Sequence, residues 1–395
     1  MKFWENVVAK SVLRVYNAAR WILPNPFIFW EKNIQVWEKV QMRSFDYTLL
    51  SKRTWDNEIL SYVSKIHEYK GKQELFVRQK PVELNRLIEV AKIQSTEASN
   101  RIEGIVTTEN RLKQLVADKT TPRNRDEEEI LGYRNVLNLV HENYDLIPVR
   151  TNYILQMHRD LLKYTGYSYG GQFKATPNEI DMVLENGERV VLFKPLEPYE
   201  TPDAVNMICE NYQKARDLEA VDELILIPCF LLDFLCIHPF TDGNGRMSRL
   251  LTLLLLYRSG YLVGQYVSIE KAIADTKEAY YDALQRADQG WHEGKNDPKP
   301  FIRYMLGVIL SCYRKFENRI KLISDTGVKS TSYDIVKAYS EQKIGKFSKQ
   351  DVLMGCPKLG SSSVESALKK LVEEGWLIRI GAGKNTMYAR ADSVG

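Results

Sequence analysis

The chain has 395 residues, 44% of them apolar and 27% charged, enough apolar material for a large core and for two or three domains. Its 55 basic and 51 acidic side chains leave a net charge of +4, too small on this length to mark the whole molecule as a nucleic-acid or anionic-membrane binder. The five cysteines, Cys209, Cys229, Cys236, Cys312 and Cys356, are scattered and mostly inside apolar runs, without metal-ligand spacing. They predict buried free thiols in a reducing compartment.

Residues 1–41 are rich in Trp and show no clear period, and Pro24 and Pro26 break the only strong apolar cluster, Trp21 to Trp30. With no convincing small-residue cleavage site, no export signal is expected here, and a cytoplasmic protein without membrane attachment is expected. The stretch is an accessory N-terminal arm or an over-extended start, and both readings stay open. From Met42 a regular polar pattern begins, and residues 42–125 are read as an N-terminal helical region. Within it, Pro81 opens a helix with apolar positions at Leu84, Leu87, Ile88, Ala91 and Ile102, and Gly104 closes it.

Residues 126–325 read as a helical core, with helices expected over Glu127–His141, Thr151–Leu162, Pro202–Ala215, Asp222–Cys236, Gly245–Ser259, Thr276–Asp288 and Phe301–Ser324. The apolar run Leu224 to Ile237 contains Pro228 and Asp233 and is too short to span a membrane, so it is read as a buried core helix. One segment breaks the pattern: Ile180–Leu184 and Val190–Phe193 flank Asn186-Gly187, which signals a β-hairpin. Residues 326–395 give three short helices, Tyr333–Tyr339, Ser348–Met354 and Ser361–Glu374, then strands Trp376–Ile380 and Thr386–Ala389, the order of a winged helix. The fold class expected is therefore mainly α with one β-hairpin and a C-terminal winged-helix domain.

The chemistry concentrates in Ile237-His238-Pro239-Phe240-Thr241-Asp242-Gly243-Asn244-Gly245-Arg246-Met247-Ser248-Arg249, which joins two apolar helices. Gly243 and Gly245 remove side chains where backbone amides must approach something, at the start of the second helix. A helix N-terminus attracts anions through its free N–H groups and macrodipole, and Arg246 and Arg249 lie on one face of this helix, so a polyphosphate is the natural ligand. Asp242 offers a hard oxygen for Mg²⁺ beside the phosphates, and His238 offers an imidazole able to take a proton from an attacking hydroxyl. Base, cation and anion cradle are the parts of a phosphoryl or nucleotidyl transferase. Taken singly, a His-Pro pair or a Gly-Asn-Gly run is a turn. At usages of roughly 5–7% per residue type, eight fixed identities in one such window arise by chance about once in ten billion windows.

The window resembles the complete signature of the Fic family, His-x-Phe-x-Asp/Glu-Gly-Asn-Gly-Arg-x-x-Arg, and a wider similarity extends over roughly residues 45–310. The resemblance implies a Fic-type helical bundle that moves AMP from Mg·ATP to a hydroxyl side chain of a target protein, and of itself. It implies His238 as general base, Phe240 as buried loop anchor and Asp242 as Mg²⁺ ligand. Gly243, Asn244 and Gly245 would cradle the α- and β-phosphates with help from Arg246, Arg249 would hold the γ-phosphate, and Met247 and Ser248 complete the ATP-binding segment. Tyr281 would lie near the adenine, and the hairpin over 180–193 would be a flap that docks the target by strand pairing.

Ser99-Asn100-Arg101-Ile102-Glu103-Gly104 resembles the family's inhibitory motif, Ser/Thr-x-x-x-Glu-Gly/Asn. A carboxylate in the last turn of a helix faces the negative end of the macrodipole and needs a cation, so Glu103 is expected to pair with Arg249 where a γ-phosphate would sit. Ser99 opens the same motif, and Glu103 could instead position water for AMP removal. The C-terminal domain leaves DNA binding, protein docking and homodimer formation open, because Lys369 and Lys370 are offset by Glu365, Glu373 and Glu374. The alternative to the enzyme is a DNA-binding regulator whose Fic core only senses nucleotide.

Overall fold

The computed structural model describes residues 43–79, 81–183, 189–324, 331–341, 343, 345–357, 359–383 and 386–391. The readings of residues 1–41 and of the Asn186-Gly187 turn lie outside these. The chain divides into two compact units, Met1–Ser44 with His292–Gly294, and Phe45–Trp291 with Lys295–Gly395. The helices and strands described belong to the second.

A short 3₁₀ turn, Tyr47–Lys52, leads into α1 (Asn57–Gln79) and α2 (Pro81–Ile102). Next come α3 (Glu109–Val116), α4 (Arg125–Asn143) and α5 (Thr151–Leu161), then the antiparallel hairpin of β1 (Ile180–Val183) and β2 (Arg189–Phe193). The core continues with α6 (Thr201–Asp217), α7 (Glu223–Ile237), α8 (Asn244–Arg258), α9 (Val263–Tyr266), α10 (Ile269–Ala274), α11 (Lys277–Ala287) and the long α12 (Lys299–Ser324).

The helices centre on α7 and α8, which pack against each other, with α4 and α2 against α8, α6 and α12 against α7, and α1 and α11 against α12. Every residue from Leu224 to Ile237 is buried, which is why α7 has no polar face, and Leu250, Leu251 and Leu253 of α8 have zero exposure. The one carboxylate in α7's run is satisfied: Asp233 accepts from the Tyr47 hydroxyl at 2.9 Å and from Trp291 Nε1 at 2.7 Å. The five cysteines are free and buried, as the sequence predicts.

Elements α13 (Ser332–Glu341), β3 (Phe347–Ser348), α14 (Lys349–Gly355), α15 (Ser361–Glu373), β4 (Leu377–Ile380) and β5 (Met387–Arg390) close the chain. The three helices and the hairpin expected here are present, and β3 adds a third strand that pairs with β5, giving the order β3-β5-β4. They share a core of Val336, Val352, Val364, Leu368, Leu371 and Leu377. Ser348 caps α14 through a reciprocal capping box with Asp351. Among the described residues no helix is long and apolar enough to cross a membrane.

Candidate active site

The site is built where α7 ends and α8 begins. His238 stops α7 itself: its backbone is left-handed (φ 50°, ψ 62°) and its N–H donates to the Phe234 carbonyl at 3.0 Å. A non-glycine residue in that region costs about 1 kcal/mol or more, and the following proline disfavours continuing the helix. The chain therefore turns at the imidazole. Nδ1–H donates to the Leu235 carbonyl at 3.2 Å, which leaves Nε2 as the lone-pair nitrogen. Burial lowers the His238 pKa from 6.5 to about 4, outweighing the Leu235 hydrogen bond that raises it, so the ring is neutral at pH 7.

The loop after His238 is held from several sides. Phe240 has zero exposure and stacks on His158 with ring centroids 3.7 Å apart. Asn244 closes the loop on Phe240: its Oδ1 accepts from the Phe240 N–H at 2.9 Å and its Nδ2 donates to the Phe240 carbonyl at 2.8 Å. The Asn244 side chain is thus a brace for the loop, with both its amide atoms engaged by Phe240. Gly243 is left-handed (φ 82°), and a Cβ there would press on Leu161 and His158. The first backbone bond of α8 runs from Met247 N–H to the Gly243 carbonyl at 2.8 Å, so the N–H groups of Asn244, Gly245 and Arg246 precede the helical ladder.

A cavity of about 750 Å³ opens over this turn. His238, Asp242, Gly243, Asn244, Gly245 and Arg249 line one part, Tyr281 and Lys277 of α11 another, and Ile180, Leu192 and Phe193 of the hairpin a third. Glu103 lines it too, having been brought there from α2. Met247 and Ser248 do not line it: Met247 is fully buried, and the Ser248 hydroxyl donates to the Gly245 carbonyl at 2.8 Å. Arg246 is likewise sealed, at 1% side-chain exposure, between Glu129 at 2.6 Å and Asp242 at 3.4 Å. It braces Asp242 from behind.

Glu103 occupies the turn that ends α2. Gly104 (φ 80°) and two backbone bonds, Gly104 N–H to the Arg101 carbonyl and Ile105 N–H to the Asn100 carbonyl, form a Schellman termination, and Lys277 Nζ donates to the Ile102 carbonyl at 3.0 Å. Arg249, 2% exposed, donates to Glu103 Oε1 at 2.6 Å, to the Ser99 hydroxyl at 2.8 Å and to the Ser99 carbonyl at 3.0 Å. Burial pushes the Glu103 pKa up, and the Arg249 guanidinium more than reverses this, so the carboxylate stays ionised and its pKa lies below the ordinary value. A Cβ on Gly245 would collide with the Glu103 carboxylate. The acid therefore lies directly over the helix N-terminus that an anion would use.

Four supports were not read from the sequence. Lys174 Nζ donates to the Ile237 carbonyl at 3.1 Å and to Asn178 at 2.8 Å, while Asn178 donates to the carbonyls of His238 at 3.3 Å and Phe240 at 3.0 Å. His158 accepts from the Gly171 N–H at 3.0 Å, so its Nε2–H donates to the Asp242 carbonyl at 3.0 Å. Glu129 holds Arg246. No local signal marks these residues, because each acts across at least 60 positions of sequence on the loop.

For a divalent cation the fit rests on Asp242. Its carboxylate lines the cavity, and among the described residues no group of three or more His, Cys, Asp or Glu side chains could hold a metal alone. A cation that takes one protein carboxylate and completes its shell with phosphate oxygens and water, as Mg²⁺ does, suits this donor set.

Residues 148–256 match the family model described as Fic/DOC family. Protein adenylyltransferase fic-1 of Caenorhabditis elegans is 25% identical over 224 residues, which cover 55% of this chain and 39% of that protein. Protein adenylyltransferase Fic of Nematostella vectensis is 26% identical over 231 residues, 56% of this chain and 48% of that protein. The chain thus spans less than half the length of these curated relatives. Among solved structures, a Fic family protein from Desulfovibrio desulfuricans aligns with a TM-score of 0.57 at 20% identity, covering 86% of this chain and 97% of its own. A Fic domain containing signaling protein from Bacteroides thetaiotaomicron gives 0.56 at 23% identity, covering 65% and 97%.

Proposed function

We propose that this chain is a protein adenylyltransferase that moves AMP from ATP to a hydroxyl side chain of a target protein, a reading supported by the Fic/DOC match over residues 148–256 and by the similarity to the adenylyltransferase fic-1. The observation that carries the proposal is His238: a neutral imidazole, with Nδ1–H tied to a carbonyl and Nε2 free, in a cavity walled by a helix N-terminus and Arg249. In the reaction, Nε2 takes the proton of the target hydroxyl as its oxygen bonds to the α-phosphorus. The bond from that phosphorus to the bridging oxygen breaks, and pyrophosphate leaves. The N–H groups of Gly245 and Arg246 would receive phosphate oxygens, and Tyr281, 42% exposed beside the cavity, would carry the base. Asp242 would hold Mg²⁺, which supplies charge neutralisation for the phosphates.

Strand β2 supplies Leu192 and Phe193 to the cavity and leaves Val191 39% exposed, which suits a flap that takes the target segment by backbone pairing. The buried free thiols fit a cytoplasmic setting. For the C-terminal elements, protein docking is favoured over DNA. The α15 lysines are already matched, Lys369 with Glu373 at 3.7 Å and Lys370 with Glu374 at 3.9 Å, which leaves little net positive charge for phosphates.

Glu103 would act as a brake. Its carboxylate occupies the Arg249 guanidinium that a γ-phosphate would need, so ATP binds without that contact or in a pose unsuited to in-line attack. The test is ATP labelled on the α- or the γ-phosphate, incubated with the Glu103→Gly protein. Label from the α-phosphate alone should appear on protein and vanish in Glu103→Gly/His238→Ala. Retained transfer without His238 would sink the base assignment, and label from the γ-phosphate would mean a kinase.

A further inference from the structure

A second cavity, of about 390 Å³, lies where α13 and α14 meet the core at α2, α10 and α12. This is within the size of small-ligand pockets. It shares no lining residue with the active-site cavity. The Arg319 guanidinium, from α12, donates to the Tyr266 carbonyl at 3.1 Å and is half-buried. Lys315, one turn earlier on α12, and Lys343, after α13, line the same space.

Among the described residues none of these three cations has a carboxylate within ion-pair distance. The two acids of the lining are already engaged. Asp275 pairs with Lys271 at 3.0 Å, and Asp351 accepts from the Ser348 N–H at 2.8 Å and the Ser348 hydroxyl at 2.9 Å. A half-buried guanidinium has five N–H donors, and beyond the bond to Tyr266 those of Arg319 can be completed by an anion. Burial lowers the Arg319 pKa, and no carboxylate is among the groups acting on it. Tyr339 and Met354 give the cavity an apolar wall, and Met354 Sδ accepts from Gln94 Nε2 of α2 at 3.1 Å.

We propose that this cavity binds a small organic phosphate, with Arg319, Lys315 and Lys343 on the phosphate and Tyr339 and Met354 against the organic part. Such a ligand would join α12 to the C-terminal elements. The proposal stands whether or not the protein transfers AMP, because no residue of the transfer site takes part.

Calorimetric titration of the full chain with inorganic phosphate and with AMP tests it. Saturable binding of AMP is expected, tighter than that of inorganic phosphate because of the apolar wall. Arg319→Ala and Lys343→Ala should each weaken it by about tenfold, equivalent to about 1.4 kcal/mol. Lys343 is exposed, so its variant should fold even if Arg319→Ala does not. Lys343 does not line the active-site cavity, so AMP held there would not respond to Lys343→Ala. The proposal is overturned if neither compound saturates at millimolar concentration, if inorganic phosphate binds as tightly as AMP, or if Lys343→Ala leaves the binding of AMP unchanged.

Discussion

At the scale of single residues, His238 and Glu103 lead to separate measurements. Because burial holds the His238 pKa near 4, its ring should titrate far below free histidine, and the base should be competent throughout the neutral range. An NMR titration of the imidazole should give a midpoint near 4; one near 6.5 would mean that the ring is solvated and the neutral base is not preset. Glu103→Gly removes the acceptor from Arg249 and should raise self-modification with AMP by at least about tenfold, the size of one lost charge-assisted contact in the competing ATP complex. Mass spectrometry after incubation with Mg·ATP reads this directly, and an unchanged rate would rule out the brake. Sequence was sufficient to single out as candidates two residues that line one cavity, since a glycine-flanked turn and a carboxylate at a helix end are local features. It could not show that Met247, Ser248 and the Asn244 amide face inward, because that depends on where the α8 start sits against Phe240 and α11.

At the scale of elements, periodicity located most core helices to within two residues, because their apolar stripes repeat at the helical period. The short helices α3, α9 and α10 were not read. Each is too short for a period to show, and α3 is held by tertiary contacts: Arg111 reaches Glu127 at 2.6 Å and the Thr121 carbonyl at 2.8 Å. The pairing of α4 with α8 was equally invisible, since Glu129 and Arg246 lie 117 positions apart. Both side chains are almost fully buried, at 2% and 1% exposure, so removing one charge strands the other. Glu129→Gln should lower stability by roughly 3 kcal/mol. It should also slow AMP transfer in the Glu103→Gly background, because Arg246 would then pull on Asp242 alone. Urea midpoints and transfer rates measured on the same preparations check this, and an unchanged midpoint would mean the pair contributes nothing net.

For the whole molecule, acid should act first through histidine. His141 and His158 are 7% and 0% exposed, and burial lowers their pKa values from 6.5 to about 3 and about 4. Both are neutral in the folded chain, whereas in the unfolded chain each takes a proton below pH 6.5. The unfolded state thus binds more protons as pH falls. Stability is complete above pH 6.5 and is lost by up to about 1.4 kcal/mol per pH unit for each ring until the folded values are reached. Glu127, lowered to about 2 mainly by its hydrogen bonds to Arg111, adds a loss only below about 4.5. Asp288, raised by burial to about 6, works in the opposite sense, and being half-buried it offsets only part of the decline. Between pH 6.5 and 4.5 the urea midpoint should therefore fall, and His158→Gln, which cannot titrate, should make the fall shallower by up to about 1.4 kcal/mol per pH unit. The comparison cancels Asp288 and every other group common to both proteins. An equally steep fall in His158→Gln would show that this imidazole, which fixes the Asp242 carbonyl at 3.0 Å, is already solvated in the folded chain. The loop around His238 would then be looser than its hydrogen bonds imply.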